Sequence, residues 1–343
     1  MKANAVTPQA RALQIVQSIA AGKLIATLTE AGIPDVLAEG PCDAGDIARA
    51  VGFDPDALKR ALRAAEALGI FARTSEGTWE NTDIGHVLRS EVRGSVRDYV
   101  VYALHDGNWR AWRHLIETLR TGKPSFPKAN DGVDFWQYLD LHPDVAIAFH
   151  RGMAAMAAMN ADALADAMDL ERFTCVADIG GGSGVLLATL LASAPKLKGI
   201  LYDRAEAIDA ARANFARTGV SERVRLEVGD LFDRIPDGAD AYVLKNILHD
   251  HDDASCRRLL DLMRATIPES ARLFVVEAVL PETAAPHPAI WRDLHMMVAL
   301  GGRERTEAQW RPLLDRNGFA IERIVALPGP DAMIELRPRS RRR

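Results

Sequence analysis

The second half of the chain alternates short apolar runs with stretches of helical spacing. From about residue 172 onward, strand-like and helix-like patterns follow one another, which is typical of a parallel sheet covered by helices. The predicted strands lie near residues 174–179, 199–203, 223–229, 240–247 and 272–279, with a terminal pair near 319–327 and 331–337. We therefore predict an α/β fold with a doubly wound sheet of seven strands and an antiparallel end.

The first hundred residues have a different pattern, in which helices come first. Two β-rich segments, Ile70–Arg73 and Thr78–Asn81, flank a Ser-Glu-Gly turn and predict a β-hairpin. Three or more helices followed by a hairpin are typical of a winged-helix domain. Apolar residues recur at helical spacing, or helix caps are present, at residues 11–29, 32–37, 43–52 and 54–69.

Winged-helix domains often bind DNA, so the charge of this region matters. Residues 1–100 carry 11 Lys and Arg against 13 Asp and Glu, a net charge of −2. DNA-binding modules are strongly basic, so the balance favours a packing or dimerisation module. A winged-helix regulator with a ligand-sensing domain is the alternative from a different class of protein.

The region between these two parts is helical and rich in Trp, Met and Ala. Phe149, Met153, Met156 and Met159 recur there at helical spacing. Such a stripe is typical of a protein core, but its position just before the glycine turn also suits a cover over a cofactor. We predict a dimerisation domain over residues 1–100, a helical connector contributing to a substrate pocket over 101–170, and a catalytic domain over 171–343.

Composition narrows the protein class. The net charge of −5 gives no general attraction to nucleic acid or anionic membranes. Three scattered cysteines without close spacing indicate neither disulfides nor zinc, which suits a reducing cytoplasm. No run approaches about 18 consecutive apolar residues, and no basic-then-apolar leader is present, so neither a membrane span nor export is expected. The Arg-rich end, residues 337–343, is expected to be a frayed tail.

The most informative stretch is Cys175–Gly184. An apolar strand ends in a cluster of glycines, and an apolar helical pattern begins at once, an arrangement that brings backbone N–H groups close to a nucleotide-like ligand. The glycines do not fit the dinucleotide pattern, because Val185 stands in place of the last one. Asp203 and Asp230 end the next two strands; they suit a ribose and an adenine amine but repel phosphates. We therefore expect a nucleoside without phosphate, and S-adenosylmethionine (SAM) fits.

Four motifs then resemble a known family. Asp178–Gly184 resembles the cofactor loop of class I SAM-dependent methyltransferases, and Leu244–Asp250 resembles the catalytic-histidine motif of small-molecule O-methyltransferases. That family includes plant caffeate and isoflavone enzymes and bacterial phenazine and natural-product enzymes. Val276–Glu277 and Gly301–Thr306 resemble its two acidic motifs. The resemblance implies a Rossmann-like seven-stranded methyltransferase domain, an N-terminal all-helical or winged-helix dimerisation domain, and a homodimer.

The resemblance also implies roles for individual residues. His249 would be the general base, held by Glu277 and Glu304. Met296 and Met297, which follow Trp291, are either core residues or the wall of the acceptor pocket, and the resemblance favours the pocket. His251 stands where the plant enzymes have a Trp, which leaves the packing beside the base open. The cofactor would be bound by Asp178, Gly180, Gly182, Asp203, Asp230, Leu231, Phe232 and Lys245, and the acceptor by Phe149, Met153, Trp291, Met296 and Met297.

The chemistry supports a base at His249. A phenol with a pKa of about 10 is mostly protonated at neutral pH, and a histidine can remove its proton as the oxygen attacks the methyl group. The His and Asp residues from His249 to Asp253 also allow the hypothesis of a metal site. Consecutive side chains, however, rarely all face one metal ion, and Asp252 and Asp253 suit the start of a helix. We expect a metal-independent enzyme.

Two further alternatives stay open within the methyltransferase reading. In the first alternative, the enzyme methylates nitrogen or carbon rather than oxygen. In the second, the protein binds SAM and performs another tailoring reaction. The sequence leaves phenazine, polyketide and simple phenolic acceptors open. His295 receives no role.

Overall fold

The computed structural model describes residues 7–283 and 285–340. The chain forms two compact units, one of Met1–Asp106 with His142–Ala155 and one of Gly107–Leu141 with Met156–Arg343. The segment predicted as a connector, residues 101–170, is therefore shared between the two units. The three predicted domain boundaries stay a prediction.

The first unit begins with helices and a hairpin in the predicted order. Trp79 and Phe71 of the hairpin are buried with Ile47 and Leu62 of the helices in one apolar core. The helices are α1 (Pro8–Glu30), α2 (Ile33–Val36), α3 (Ala44–Val51), α4 (Pro55–Ala67), α5 (Asp83–Val87) and α6 (Arg97–Ala103), and the hairpin strands are β1 (Phe71–Arg73) and β2 (Trp79–Asn81). Helix caps explain these starts, because Asp43 and Asp54 accept hydrogen bonds from the first-turn N–H groups of α3 and α4.

Helix α1 bears on the expectation that no segment spans a membrane. Among the described residues it is the one helix long and apolar enough to cross a membrane, with a mean hydropathy of 1.3. The sequence of α1 contains no long unbroken apolar run, because Gln14, Gln17 and Ser18 interrupt the pattern. Length and composition carry little weight alone, since a signal sequence or a core helix of a soluble protein meets the same criteria.

Helices precede and surround the sheet of the second unit. Before it lie α7 (Asp106–Arg113), α8 (Leu115–Thr121), α9 (Phe126–Ala129), α10 (Phe135–Leu141) and the long α11 (Pro143–Met168), and around it lie α12 (Val185–Ser193), α13 (Ala205–Thr218), α14 (Asp253–Thr266), α15 (Ala289–Ala299) and α16 (Glu307–Arg316). Two apolar clusters, one built around Leu187 and Phe215 and the other around Leu260 and Trp310, bury the sheet.

The sheet confirms all seven predicted strands. They are β3 (Cys175–Ile179), β4 (Lys198–Asp203), β5 (Val224–Val228), β6 (Ala241–Lys245), β7 (Arg272–Leu280), β9 (Phe319–Ala326) and β10 (Asp331–Pro338), in the order β5-β4-β3-β6-β7-β10-β9. Strand β10 is antiparallel to both of its neighbours, as predicted for that end. An eighth strand, β8 (Arg305–Thr306), pairs with the end of β7. The strand order reverses between β3 and β6, where open α/β sheets bind their ligands.

The chain's Arg-rich end departs from expectation. Arg337 belongs to β10, and the Arg339 N–H donates to the Gly318 carbonyl at 2.8 Å. The prediction of a frayed tail is therefore wrong for residues 337–339, because the edge of the sheet holds them. Residues 341–343 lie outside the described residues.

Candidate active site

The glycine turn has the predicted strand–turn–helix form. Gly180, Gly182 and Gly184 have φ angles of +71°, +57° and +71°, and Gly184 caps α12. These values favour glycine, because L side chains rarely adopt them. A Cβ on Gly180 would lie 2.5 Å from Ile247, whereas a Cβ on Gly182 would meet nothing within 4 Å. The space above Gly182 is therefore open to a ligand.

Two carboxylates border this turn. Asp203 accepts the Gly182 N–H on Oδ2 at 2.7 Å, so it fixes the turn. Asp178 is buried, and its Oδ2 has no hydrogen-bond partner in the described part of the chain. Burial, with the negative charge of Asp203, raises the pKa of Asp178 to about 7, while Lys245 acts in the opposite direction. A buried carboxyl with an unpaired oxygen suits a cationic partner such as the ammonium of SAM.

The predicted adenine residues follow β5. The Asp230 Oδ1 accepts the Phe232 N–H at 2.7 Å, which shapes this turn. Leu231 and Phe232 are partly buried against the core. The Phe232 ring meets the His251 ring edge to face, with centroids 5.0 Å apart. His251, which replaces the Trp of the plant enzymes, therefore still supplies an aromatic contact beside the predicted adenine site.

His249 lies on a single 3₁₀ turn, Leu248–Asp250, just after β6. Its Nδ1 is 2.9 Å from Glu304 Oε1 and 3.4 Å from Glu277 Oε2. Because a carboxylate only accepts hydrogen bonds, Nδ1 carries the proton toward Glu304. Its Nε2 lies on the other side of the ring, 3.3 Å from Asp250 Oδ1. The three residues predicted as a catalytic group thus meet in one buried cluster.

Glu277 fixes the backbone that carries His249. Its Oε1 accepts the N–H groups of Ile247 at 3.0 Å, Leu248 at 2.8 Å and His249 at 3.3 Å. Asn246, just before this loop, has a φ of +53°, so the chain turns sharply out of β6. The Glu277 carboxylate on β7 therefore acts on the loop that follows the neighbouring strand β6.

Glu304 belongs to a buried ionic network that the sequence did not indicate. Arg292 donates through Nε to Glu304 Oε1 and through Nη2 to Asp331 Oδ1, the latter at 2.9 Å. Asp331 also accepts from Asn160 at 3.0 Å and lies 3.5 Å from the Lys245 ammonium. Lys245, predicted to line the cofactor pocket, thus pairs with Asp331, and its charge also lowers the pKa of Asp178.

The charges of this cluster set the state of His249. Burial alone would lower its pKa, but the negative charges of Glu277, Asp250 and Glu304 outweigh burial and raise it to about 9. Burial opposes ionisation of Glu304 too, yet its hydrogen bonds to His249 and Arg292 lower its pKa. The site is therefore built to stabilise an imidazolium.

The loop before Glu304 packs directly on the base. A Cβ on Gly302 would lie 2.0 Å from the His249 carbonyl oxygen, so this position needs glycine. The same carbonyl accepts the Arg303 N–H at 2.8 Å. The Glu304 N–H in turn donates to Asp293 on α15 at 2.8 Å. Close backbone packing thus delivers Glu304 to the imidazole.

The donor atoms of His249, Glu277 and Glu304 lie within 4.8 Å of one another, close enough for a metal ion. However, Arg292 donates to Glu304, and three backbone N–H groups donate to Glu277. These donors use Oε1 of each glutamate, while Oε2 of each has no hydrogen-bond partner among the described residues. The Arg292 cation beside Glu304 opposes a second cation there, so the cluster fits a metal poorly. In the run His249–Asp253, Asp252 caps α14 and Asp253 lies in its first turn, both as expected, and Asp253 also pairs with Arg305.

The predicted acceptor residues fall in different places. Trp291 is 70% exposed, Met296 is buried and Met297 is partly buried, all on α15. Phe149 and Met153 lie on the part of α11 that belongs to the first unit, where Phe149 meets Tyr102 edge to face. Their roles toward the acceptor stay predictions.

Trp112 contacts His295 of α15, a pair that the sequence did not predict. The Trp112 indole N–H donates to His295 Nδ1 at 3.3 Å, and the two rings stack with centroids 6.3 Å apart. No sequence signal links residues this far apart. His295 faces the electrostatic field of His249, which together with burial lowers its pKa.

Comparison with known proteins agrees with this geometry. Residues 112–320 match the O-methyltransferase domain and residues 13–91 match the O-methyltransferase dimerisation domain. The chain is 38% identical to the O-demethylpuromycin-O-methyltransferase of Streptomyces alboniger, over 96% of this chain and 89% of that protein. It is 34% identical to the phenazine-1-carboxylate N-methyltransferase of Pseudomonas aeruginosa, over 94% and 95% of the two chains.

Solved structures give the same assignment. The crystal structure of LaPhzM aligns with a TM-score of 0.92 at 33% identity, covering 97% of this chain and 100% of that one. The O-methyltransferase NcsB1 from neocarzinostatin biosynthesis, solved with SAM and 2-hydroxy-5-methyl naphthoic acid, aligns with a TM-score of 0.79 at 30% identity over 93% and 96% of the chains. The roles of the glycine turn, of the acids at the strand ends and of the histidine between two glutamates stay predictions. The chain belongs to the O-methyltransferase family.

Proposed function

We propose that this enzyme methylates a hydroxyl group of a small aromatic or heteroaromatic metabolite, with His249 as the general base and without a metal ion. The observation that carries the proposal is the buried His249, whose Nδ1 is hydrogen-bonded to Glu304 so that its Nε2 faces away from both glutamates. The base stands just after β6, next to the strand that bears the glycine turn.

SAM, when bound, supplies an electrophilic methyl group on a cationic sulfur. The acceptor hydroxyl gives its proton to Nε2 of neutral His249 as its oxygen bonds to the methyl carbon and the carbon–sulfur bond breaks. The products are an aryl methyl ether, S-adenosylhomocysteine (SAH) and an imidazolium. Glu304 and Glu277 stabilise that cation, in the manner of the acid in a catalytic triad. The loop fixed by Glu277 holds the ring in place while this happens.

For the cofactor, we propose that Asp178 and the turn at Gly180 and Gly182 hold the methionine part. Asp203 holds the ribose. Asp230, Leu231 and Phe232 enclose the adenine, and Lys245 supports the pocket through Asp331. The open space above Gly182 and the unpaired Asp178 oxygen support this arrangement.

Methylation of nitrogen is the second candidate, because relatives named as N-methyltransferases match along most of the chain. Amines attack without losing a proton first, so a base is less necessary. A SAM-binding protein that performs another tailoring reaction, or a regulator, accounts less well for a base held by two buried carboxylates.

Labelled SAM tests this proposal against both alternatives. The enzyme is incubated with methyl-labelled SAM and matched acceptors, such as 1-naphthol with 1-naphthylamine and 1-hydroxyphenazine with 1-aminophenazine. We expect label in the ethers. Label only in the amines would support N-methylation, and SAH binding without any transfer would support the non-methylating alternative.

We further propose a cytoplasmic homodimer formed through α1. Leu13, Ile15, Val16 and Ile19 are each 58–63% exposed on this helix, which belongs largely to the matched dimerisation domain. Burial of such side chains between two chains stabilises a dimer. The free state of all three cysteines suits a reducing compartment.

Sedimentation without detergent tests the assembly. We expect a dimer for the parent enzyme and a monomer for the Leu13→Glu/Val16→Glu variant. Leu119→Glu, at an equally exposed position of α8, is the control and should stay dimeric. A parent protein that sediments only with membranes would instead support the membrane reading of α1.

A further inference from the structure

We propose that His295 donates a hydrogen bond from Nε2 to the acceptor, so that the enzyme favours aromatic acceptors with a carbonyl oxygen or ring nitrogen close to the hydroxyl that is methylated. This inference rests on the proposed function, because it concerns the same acceptor site. It adds a specificity-determining residue to a site otherwise defined by its base and its cofactor.

The position of His295 on α15 brings it near the base. Arg292 lies three residues earlier on the same helix, so the two side chains share a face. Arg292 donates to Glu304, and Glu304 accepts from His249. His295 also lies within the electrostatic reach of His249. The helix therefore presents both side chains toward the reacting end of the site.

Trp112 fixes which ring nitrogen of His295 carries the proton. Its indole N–H donates to Nδ1 at 3.3 Å, and the two ring planes are only 10° apart. An indole nitrogen can only donate, so Nδ1 must offer its lone pair. In a neutral imidazole the proton then sits on Nε2.

The surroundings keep this ring neutral. Burial, assisted by the positive charge of His249, lowers the pKa of His295 to about 4. At physiological pH it is therefore a hydrogen-bond donor at Nε2 and has no role as a second base. Within residues 7–283 and 285–340, the one hydrogen bond of His295 is the bond at Nδ1. The Nε2–H is thus available as a donor, and we assign its partner to the acceptor.

This donor predicts the chemistry of the acceptor. A carbonyl oxygen or a pyridine-type nitrogen accepts the Nε2–H, whereas an aromatic C–H leaves it unpaired. Sites built to pair with one polar atom reject analogues that lack it. We expect a preference of about 10- to 100-fold in kcat/KM for an acceptor that supplies the atom.

Matched acceptors measure this preference. The pairs are 8-hydroxyquinoline with 1-naphthol, which differ by one nitrogen in place of a C–H, and 1-hydroxyphenazine with 1-hydroxyanthracene, which differ by two. The ratio of kcat/KM within a pair is compared among the parent enzyme, His295→Phe and His295→Gln. We expect His295→Phe to lower the ratio at least about tenfold, and His295→Gln, which keeps a side-chain N–H, to retain most of it. A ratio unchanged in His295→Phe would overturn the proposal.

A second readout separates this inference from the proposed function. Nitrogen-15 NMR of the SAH-loaded enzyme reports the protonation of each histidine nitrogen without any turnover, and the His295→Gln variant identifies the signal. We expect a protonated Nε2 and an unprotonated Nδ1 at pH 7. In Trp112→Phe, we expect this preference for one tautomer to be lost. A protonated Nδ1 would refute the inference even if methyl transfer occurs. Absence of transfer to every acceptor would refute the proposed function while leaving the tautomer result to stand.

Discussion

Replacing Glu304 by Gln should lower the pKa of His249. The exchange keeps an acceptor near Nδ1 but removes the negative charge that lies 2.9 Å from it. Loss of an anion disfavours the imidazolium, so the folded-state pKa must fall from its value of about 9. The neutral imidazole, which is the active base, then persists to lower pH.

The magnitude follows from the distances. At an effective dielectric constant of about 20, two unit charges about 4 Å apart interact by about 4 kcal/mol, which corresponds to roughly 3 pKa units. Arg292 donates to the same carboxylate oxygen and offsets part of this attraction. We therefore expect a net fall of about 1 to 2 pKa units.

The assay is the pH dependence of kcat/KM, measured with a competent acceptor and saturating SAM. The acidic limb of the profile should move by 1 to 2 units toward low pH, by the same estimate. The plateau at high pH should fall about tenfold, because the imidazolium formed during the reaction loses a partner. NMR titration of the His249 ring in the ligand-free protein gives the same pKa directly.

Glu277→Gln is the companion variant. It also removes a charge that raises the pKa of His249, so its acidic limb should move to low pH as well. Unlike Glu304, Glu277 accepts three backbone N–H groups, so this variant should in addition lower the free energy of unfolding by about 1–3 kcal/mol. An acidic limb that stays in place in Glu304→Gln, or that moves toward high pH, would refute the electrostatic account of His249.

Three further predictions follow from the same contacts. Arg292→Met removes a cation beside Glu304, so the acidic limb should move toward high pH, opposite to the Glu304 variant; a shift to low pH would contradict the network. Asp203→Ala should weaken SAH binding about 10- to 100-fold by calorimetry, because a charged partner of the ribose is lost, and an unchanged affinity would exclude that role. Gly302→Ala should lower the free energy of unfolding by about 1–3 kcal/mol, because its Cβ would meet the His249 carbonyl at 2.0 Å; Gly22→Ala, whose Cβ would lie 3.6 Å from its nearest neighbour, is the control and should be tolerated.

Much of the fold could be predicted because apolar periodicity reports burial. Strands β3, β6 and β7 are apolar and buried along most of their length, so each left a clear pattern in the sequence. Strand β8 has two residues and left no such pattern. The segment 101–170 was harder to divide, because helical spacing shows that a face is buried and does not show against which unit it packs.

The active site, too, contains residues that the sequence predicted and residues that it did not. Glu277 lies on β7 and His249 follows the parallel neighbour β6, so their proximity follows from the strand order. Arg292, Asp331 and Asn160 join through contacts between segments 39 and 171 residues apart, and Trp112 meets His295 across 183 residues. Such pairs arise only from tertiary packing, and no local spacing predicts them.

The most direct test of the account is the His249→Ala variant, with His86→Ala at an exposed position as the control histidine. SAH affinity and methyl transfer to an aromatic hydroxyl are measured on the same preparations. We expect unchanged SAH affinity in both variants and a fall in turnover of about 10²- to 10⁴-fold in His249→Ala alone, the usual contribution of a general base. Turnover that survives the loss of His249 would contradict its role as the base.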